Sequence, residues 1–508
     1  MSKPSRRPTR ETRKEHKQKR REAQRQLRTA QVQKGVVPPR AASISNRLCP
    51  YSTEAEERAA REDAVAGQLG VFRALLPKLL KGLSKISDPR QPKKIKHKLT
   101  VVLLYGLLSF VLQMASRREA NRELSRPAFL ATLQALFPEL ESLPHADTLH
   151  RLLQEIEVQA LEETHVEVLR RWIRNKKFRR YLIAQCYPIA IDGTQKLVRS
   201  GQGLGEEWLE RRRQTADGER VQQYVYVLEA NLVFHNGVTL PLLSEFLNYA
   251  EGDPDDHKQD CELKAFYRLA GRLKAYFPRL PILLLLDGLY PNGPLMALCH
   301  QYGWQFMIVL PDKCLPSVWE EVEALKPRLP HHRKHQHWHG RQQQFWWVND
   351  ITYSYEGDRK SLRVHVVGCE ETWQDVDRES AAIVDKHARH VWISSHPLHS
   401  DNVHEKCNLG ARQRWGIETG LLVEKCQGYH YEHAFSYTWN AMKGYHYLMR
   451  LAHLLNALAL ATKRVAQHVR TLGVQAFLRW VRDSCAHRWL QHEWIERFRA
   501  TPLQLRLE

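Results

Sequence analysis

Two aspartates each come at the end of a short apolar run, where a carboxylate can do chemistry. Asp192 follows the run 188–191, and Asp287 follows the run 282–286. A charged carboxylate beside a buried strand is costly unless a partner satisfies it. Mg²⁺ is a suitable partner because this hard cation prefers oxygen ligands and keeps several of its waters. The two positions therefore predict a divalent-metal site.

A third acid, Glu418, lies between two bases in a segment with helical spacing. Arg414, Glu418 and Lys425 stand at positions i, i+4 and i+11. At about 100° per residue, all three fall within roughly 40° of one helix face. Taken alone, such a row is often only a surface ion-pair row. Together with Asp192 and Asp287, it favours an acid that binds metal beside two bases that contact phosphate.

The segment 184–311 has the pattern of a mixed α/β sheet. Its apolar runs predict three strands, followed by a helix, a strand, a helix and a strand. Asn236–Gly237, between the second and third runs, is a strong hairpin signal. Strands as uniformly apolar as these predict a sheet that is buried on both faces. We expect the first part of this core at 184–311 and the second part, with the helix of Glu418, at 395–467.

The remaining segments predict helices toward both ends of the chain and a β-rich insertion. The helices over 46–183 suit DNA binding or, alternatively, packing and dimerisation. Pro77 is expected to split or kink one of them. The run 99–115 is too short for a membrane span and is expected to be a buried helix. We predict a β-rich insertion at 312–394, with a basic histidine-rich loop at 331–339, and C-terminal helices at 468–508.

The charge of the chain points to a polyanionic partner. The formal net charge is +21, and the first 40 residues hold 14 Lys and Arg against 3 acids. Because such a tail buries too little apolar surface to fold alone, 1–45 is predicted to be disordered. It would bind nucleic acid or stay solvated. The chain begins without an apolar signal segment and has no Cys-x-x-Cys pair. We therefore expect neither secretion, nor a disulfide framework, nor a membrane partner.

The motifs at the two aspartates resemble those of the DDE transposases of bacterial insertion sequences. The resemblance rests on Ile191–Thr194, on Leu286–Gly288 and on the segment 259–262. It covers roughly 187–460 of the chain. It implies a ribonuclease-H-like mixed sheet interrupted by the β-rich insertion.

The segment around Glu418 is similar to one branch of that family. In this branch the catalytic helix carries a Tyr-Arg-Glu-Lys signature, and Arg414, Glu418 and Lys425 match its spacing. Ala411 stands at the position of the signature tyrosine. The chain therefore departs from the branch at one of the four positions.

The resemblance implies a DNA transposase that cuts insertion-sequence ends and joins the freed 3′-OH to target DNA. Asp192 would bridge two Mg²⁺ or Mn²⁺ ions, and Asp287 and Glu418 would each complete one side. Arg414 and Lys425 would hold backbone phosphates. The implied partners are terminal inverted repeats and target DNA, bound by a dimer at the nucleoid of the bacterial cytoplasm. A related metal nuclease without strand transfer and a non-enzymatic DNA-binding descendant are the alternatives.

Overall fold

The structure is a computed structural model that describes residues 10–39, 49–201, 204–215, 218–248, 260–501 and 507. The chain is a mixed α/β protein with helical regions toward both ends, as predicted. It folds into two compact units, each made of two stretches of chain. We call the unit of Ile44–Leu285 and Arg412–Glu508 the core unit. The unit of Met1–Ser43 and Leu286–Ala411 is the β-rich unit.

The described residues contain fifteen α-helices, most of which lie in the core unit. In chain order they are α1 (Arg10–Gln33), α2 (Glu54–Leu83), α3 (Leu99–Val111), α4 (Arg117–Leu124), α5 (Pro127–Leu136), α6 (Ala146–Glu155), α7 (Gln159–Arg174), α8 (Glu262–Tyr276), α9 (Gly293–Tyr302), α10 (Pro316–Leu325), α11 (Trp415–Cys426), α12 (Trp439–Leu460), α13 (Lys463–Leu472), α14 (Val474–Ala486) and α15 (His492–Ala500).

The described residues also contain ten strands, of which the first five belong to the core unit and the last five to the β-rich unit. They are β1 (Tyr187–Ser200), β2 (Leu209–Thr215), β3 (Gly218–Val233), β4 (Thr239–Phe246), β5 (Ile282–Leu286), β6 (Gln305–Val309), β7 (Arg333–Trp338), β8 (Arg341–Tyr355), β9 (Lys360–Val376) and β10 (Ile383–Ser394).

In the core unit, β1 lies between β3 and β5 in the sheet. It pairs antiparallel with β3 on one side and parallel with β5 on the other. The long β3 then pairs with β2 along its first half and with β4 along its second half. Gly237 takes the positive φ of +87° that the β3–β4 hairpin requires, which confirms the Asn-Gly signal. The spatial order in this sheet is therefore β4–β3–β1–β5, with antiparallel pairing up to β1 and parallel pairing between β1 and β5.

The helices of the core unit pack around α12, which is buried along most of its length. Both α2 and α3 lie against it, as does α6. Twelve of the thirteen residues of α3 are buried, so the prediction of a buried helix near 99–115 is confirmed. Pro77 was expected to split or kink the preceding segment; the split is wrong, because α2 runs as one helix through Pro77, and the kink stays a prediction.

The β-rich unit holds an antiparallel sheet in the order β6–β10–β9–β8–β7. The histidine-rich stretch predicted as a loop forms strand β7, which pairs with β8 from Arg333–Trp346 to Trp338–Arg341. Burial alternates along this edge strand: Arg333, His335 and His337 are exposed on one face, and Lys334, Gln336 and Trp338 are partly buried on the other. A run with so few apolar residues predicts a loop, because its pairing with β8 leaves no hydrophobic pattern in the sequence.

The basic N-terminal segment, predicted to be disordered, contains helix α1. This helix packs against β9 of the same unit. Leu27 and Val37 are buried there, and His16 Nε2 lies 2.8 Å from the carbonyl oxygen of Arg378. The helix therefore forms on a surface that the sequence could not reveal, because its partner lies more than 300 residues away along the chain.

Among the residues that the structure describes, no helix is both long and apolar enough to cross a bilayer.

Candidate functional site

Asp192 lies within strand β1, and the prediction that it ends a strand is wrong in this respect. The strand continues to Ser200 because β3 keeps pairing with it past a bulge near Gln195. Only the parallel pairing with β5 stops early, at Ala190. The carboxylate of Asp192 is half-buried, and its Oδ1 accepts a hydrogen bond from the backbone N–H of Gly193 at 3.0 Å.

Gly193 is required by the close approach of two side chains. A Cβ at this position would lie 2.5 Å from Cε1 of Tyr226 and 2.6 Å from Oε1 of Glu262. The Tyr226 hydroxyl donates to Glu262 at 2.7 Å. The absence of a side chain at the glycine of the Asp-Gly-Thr motif therefore leaves room for a tyrosine–glutamate pair next to Asp192.

Asp287 directly follows β5, and its position relative to the β1–β5 pairing is the same as that of Asp192. Leu285 is the last β5 residue paired with β1, opposite Ala190, so each aspartate comes two residues after a member of this pair. Asp287 is half-buried, and its Oδ1 accepts a hydrogen bond from the backbone N–H of Leu289 at 2.9 Å. This bond leaves further lone pairs on the carboxylate.

The structure brings Arg414 and Glu418 together, as their spacing predicts. The guanidinium of Arg414 donates to Oε1 of Glu418 at 2.9 Å. Arg414 is only 8% exposed and lies over the ring of Trp415, whereas the Glu418 side chain is 40% exposed. Lys425 does not join them, since its Nζ pairs with Glu432 at 2.9 Å.

Helix α11, which carries Glu418, lies very close to the core sheet. A Cβ on Gly416 would be 3.2 Å from Val233, and one on Gly420 would be 3.0 Å from Thr239. The Thr239 hydroxyl also donates to the backbone oxygen of Gly416. Two glycines four residues apart thus form the contact face of α11, and side chains there would push the helix away.

Asp192 and α11 share one face of the core sheet. Gly420 of α11 approaches the side chain of Asn231 on β3. Glu229 lies two residues before Asn231 and therefore on the same face. Because Glu229 is the cross-strand partner of Asp192, their side chains also point to one side. The helix of Glu418 therefore covers the sheet face toward which Asp192 points.

A buried charge network that the sequence analysis missed ties α11 to this face. Arg450 of α12 contacts Glu424 of α11 at 3.1 Å and Glu229 of β3 at 3.1 Å. His446 lies 3.3 Å from the Glu229 carboxylate, and His453 lies 2.6 Å from that of Glu424. The sequence did contain one signal for this network. A charged residue inside an otherwise apolar strand or helix needs a buried partner, because an unpaired charge is rarely tolerated there.

The network changes how its members titrate. Burial acts to raise the pKa of Glu229, but the charges of Arg450 and His446 outweigh it and hold the pKa below its usual range. Burial lowers the pKa of His446 to about 4 and that of Lys196 to about 8. Lys196 donates to the backbone oxygen of Tyr431 at 3.0 Å. The carboxylates are therefore held ionised and fixed in place.

The acids of the segment 259–262 take structural partners. Gln259 lies outside the described residues. Asp260 is buried and pairs with Arg268 at 2.5 Å, and Glu262 accepts the bond from Tyr226. Their contacts are those of residues that hold helix α8 in place.

The carboxylates of Asp192, Asp287 and Glu418 suit Mg²⁺ or Mn²⁺ by their donor chemistry, since each offers half-exposed oxygen atoms. Over the described ranges, however, no group of three or more His, Cys, Asp or Glu side chains is gathered closely enough to form a ready-made metal site. The assembly of the three acids around metal therefore stays a prediction.

Residues 80–173 match the family described as DDE_Tnp_1-associated. The match runs from the last turn of α2 to α7 and points to a DDE-type transposase family. A search of curated proteins finds no match. The matched stretch contains none of the candidate acids, so it relates the helical region, and not the candidate site, to transposases.

Proposed function

We propose that this chain is a DNA transposase that cuts the ends of an insertion sequence and joins the 3′-OH to target DNA. The observation that carries the proposal is that α11, with the Arg414–Glu418 pair, covers the sheet face of Asp192. The family match over 80–173 adds independent support from another part of the chain.

In this proposal Asp192, Asp287 and Glu418 hold two Mg²⁺ or Mn²⁺ ions. When bound, the ions would stabilise charge on the attacking and leaving oxygens of the scissile phosphate. Asp192 is fixed by its position in a paired strand, and Glu418 is oriented by the hydrogen bond from Arg414. The same three acids serve hydrolysis at the element end and the later attack of the 3′-OH on target DNA.

The bases of α11 would position the DNA strand. A guanidinium has five N–H donors, so the bond of Arg414 to Glu418 leaves others for a backbone phosphate. Lys425 would exchange its ion pair with Glu432 for a phosphate, since the Glu432 side chain is 58% exposed and water can replace the lysine there. These contacts set the register of the strand without reading its sequence.

The helical region over 46–183 would bind the terminal inverted repeats, and two chains would hold two ends together as a dimer in the bacterial cytoplasm. Sequence-specific contacts from helices in this region would distinguish element ends from other DNA. This assignment rests on the transposase-associated family match over the same helices.

The test is an assay with supercoiled donor DNA that carries the element ends, in the presence of Mg²⁺. Glu418→Gln should abolish cleavage and joining while leaving DNA binding intact. The control is Glu493→Gln, an exposed acid on α15 of the same unit, which should behave as the wild type. Cleavage without joining by the wild type would favour a nuclease. DNA binding alone would favour a non-enzymatic protein, and both results would contradict the proposal.

A further inference from the structure

Helix α1 separates its charges onto different sides. It holds nine Lys and Arg and three Glu. At about 100° per residue, Glu11, Glu15 and Glu22 fall within roughly 40° of arc. Seven of the bases fall within roughly 120° on another side. Five of these form what we call the basic stripe: Arg13, Lys14, Lys17, Arg21 and Arg25. The other two, Arg10 and Arg28, stand near the two ends of the helix and are not counted in the stripe.

A third side of α1 packs against the rest of the β-rich unit. His16, Ala23 and Leu27 lie on this side, and all three are at least partly buried. His16 contacts the backbone oxygen of Arg378, and Leu27 is buried with Val37 in the β-rich unit. Docking therefore fixes the rotation of the helix about its axis.

This rotation leaves the basic stripe exposed. All five of its residues are exposed in the folded β-rich unit. Arg28, which follows the stripe, turns back and donates to the backbone oxygen of Pro38 at 2.8 Å. The docking of α1 therefore fixes the positions of the stripe residues, whereas the charges of an unfolded tail would have no fixed arrangement.

We propose that the basic stripe binds the phosphate backbone of duplex DNA independently of base sequence. From Arg13 to Arg25 the stripe is about 18 Å long. Duplex DNA carries one negative charge about every 1.7 Å along its axis, so several phosphates lie within reach. The stripe deepens the proposed function by adding a DNA contact on the β-rich unit, outside the three acids.

The chemistry of α1 favours DNA over an anionic membrane. A helix that lies on a membrane needs a second face with large apolar residues such as Trp, Phe or Leu. Helix α1 contains no aromatic residue, and its one leucine, Leu27, is buried by docking. The stripe thus offers charge without an apolar face that could enter lipid.

The test measures the affinity of the full chain for a random-sequence duplex over a range of salt concentrations. The stripe variant is Lys17→Gln with Arg21→Gln. The control is Lys19→Gln with Lys34→Gln, which removes the same charge from exposed positions outside the stripe. Far-UV circular dichroism should show that both variants keep the fold.

The stripe variant should lose about 1.8 from the slope of log K against log salt, which corresponds to two phosphate contacts. At about 0.15 M salt this is roughly 30-fold weaker binding. The control should bind like the wild type. Equal losses in both variants, no loss in the stripe variant, or a loss seen with anionic vesicles and not with the duplex would overturn the proposal.

The stripe and the proposed function can fail separately. If the wild type cleaves and joins donor DNA but the stripe variant keeps its salt slope, only the stripe proposal fails. If the wild type does neither but the stripe variant loses slope, only the proposed transposase activity fails.

Discussion

Replacing Arg450 by Met should destabilise the core unit strongly. Arg450 is 2% exposed and bridges Glu229 and Glu424, both fully buried. Methionine has a similar length but no charge. Removal of one partner from a buried ion pair costs about 3–5 kcal/mol, because a charge is left buried without compensation. Since two buried carboxylates lose the one arginine they share, we expect a loss near the upper end, about 5 kcal/mol.

The assay for this variant is urea unfolding of the full chain. The matched control is Arg464→Met, because Arg464 pairs with Asp63 at 2.7 Å but both side chains are nearly half exposed. That loss should stay below about 1 kcal/mol. Adding Glu229→Gln and Glu424→Gln to Arg450→Met should restore much of the stability, since neither carboxylate is then left charged without the arginine. An Arg450→Met loss no larger than that of the control would refute the reasoning.

Three further perturbations probe the titration, the packing and the candidate site. Burial lowers the pKa of His165 to about 3 and that of His446 to about 4, so between pH 6.5 and pH 4 the unfolded chain binds more protons. The free energy of unfolding, measured in urea at pH 7, 6 and 5, should therefore fall as the pH is lowered, by about 0.7 kcal/mol for each histidine from pH 7 to pH 6 and by about 1.2 kcal/mol from pH 6 to pH 5; a flat profile would contradict this. Gly368→Ala should lower the stability of the β-rich unit by about 1–3 kcal/mol in thermal unfolding, because its Cβ would overlap the ring of Trp346; unchanged stability would show that the ring can move. Arg414→Gln should reduce donor cleavage as Glu418 loses its orienting bond, and full activity would argue against that role.

The elements that carry a strong hydrophobic pattern could be predicted from the sequence. The apolar runs give β1, β3, β4 and β5 in the right order, and Asn236–Gly237 gives the hairpin between two of them. Strand β2 could not be predicted in this way. Its sequence contains three consecutive arginines, and it forms because its backbone pairs with β3.

Within the candidate site, the sequence could predict only local geometry. Helical spacing placed Arg414 near Glu418, and the structure confirms their hydrogen bond. The buried network could not be predicted, because Glu229 and Arg450 are 221 residues apart and meet only when α12 packs against the sheet. Long-range packing of this kind leaves no periodic signal in the chain.

Iron-directed cleavage of the backbone tests the central claim most directly. Fe²⁺ substituted for Mg²⁺, with ascorbate and peroxide, produces radicals that cut the chain close to the bound metal. Three clusters of cuts are predicted, at Asp192, Asp287 and Glu418, and excess Mg²⁺ should suppress all three. Asp192→Asn should reduce the cuts at the other two positions as well. Cuts confined to one of these segments, or cuts that Mg²⁺ does not suppress, would contradict a shared metal site.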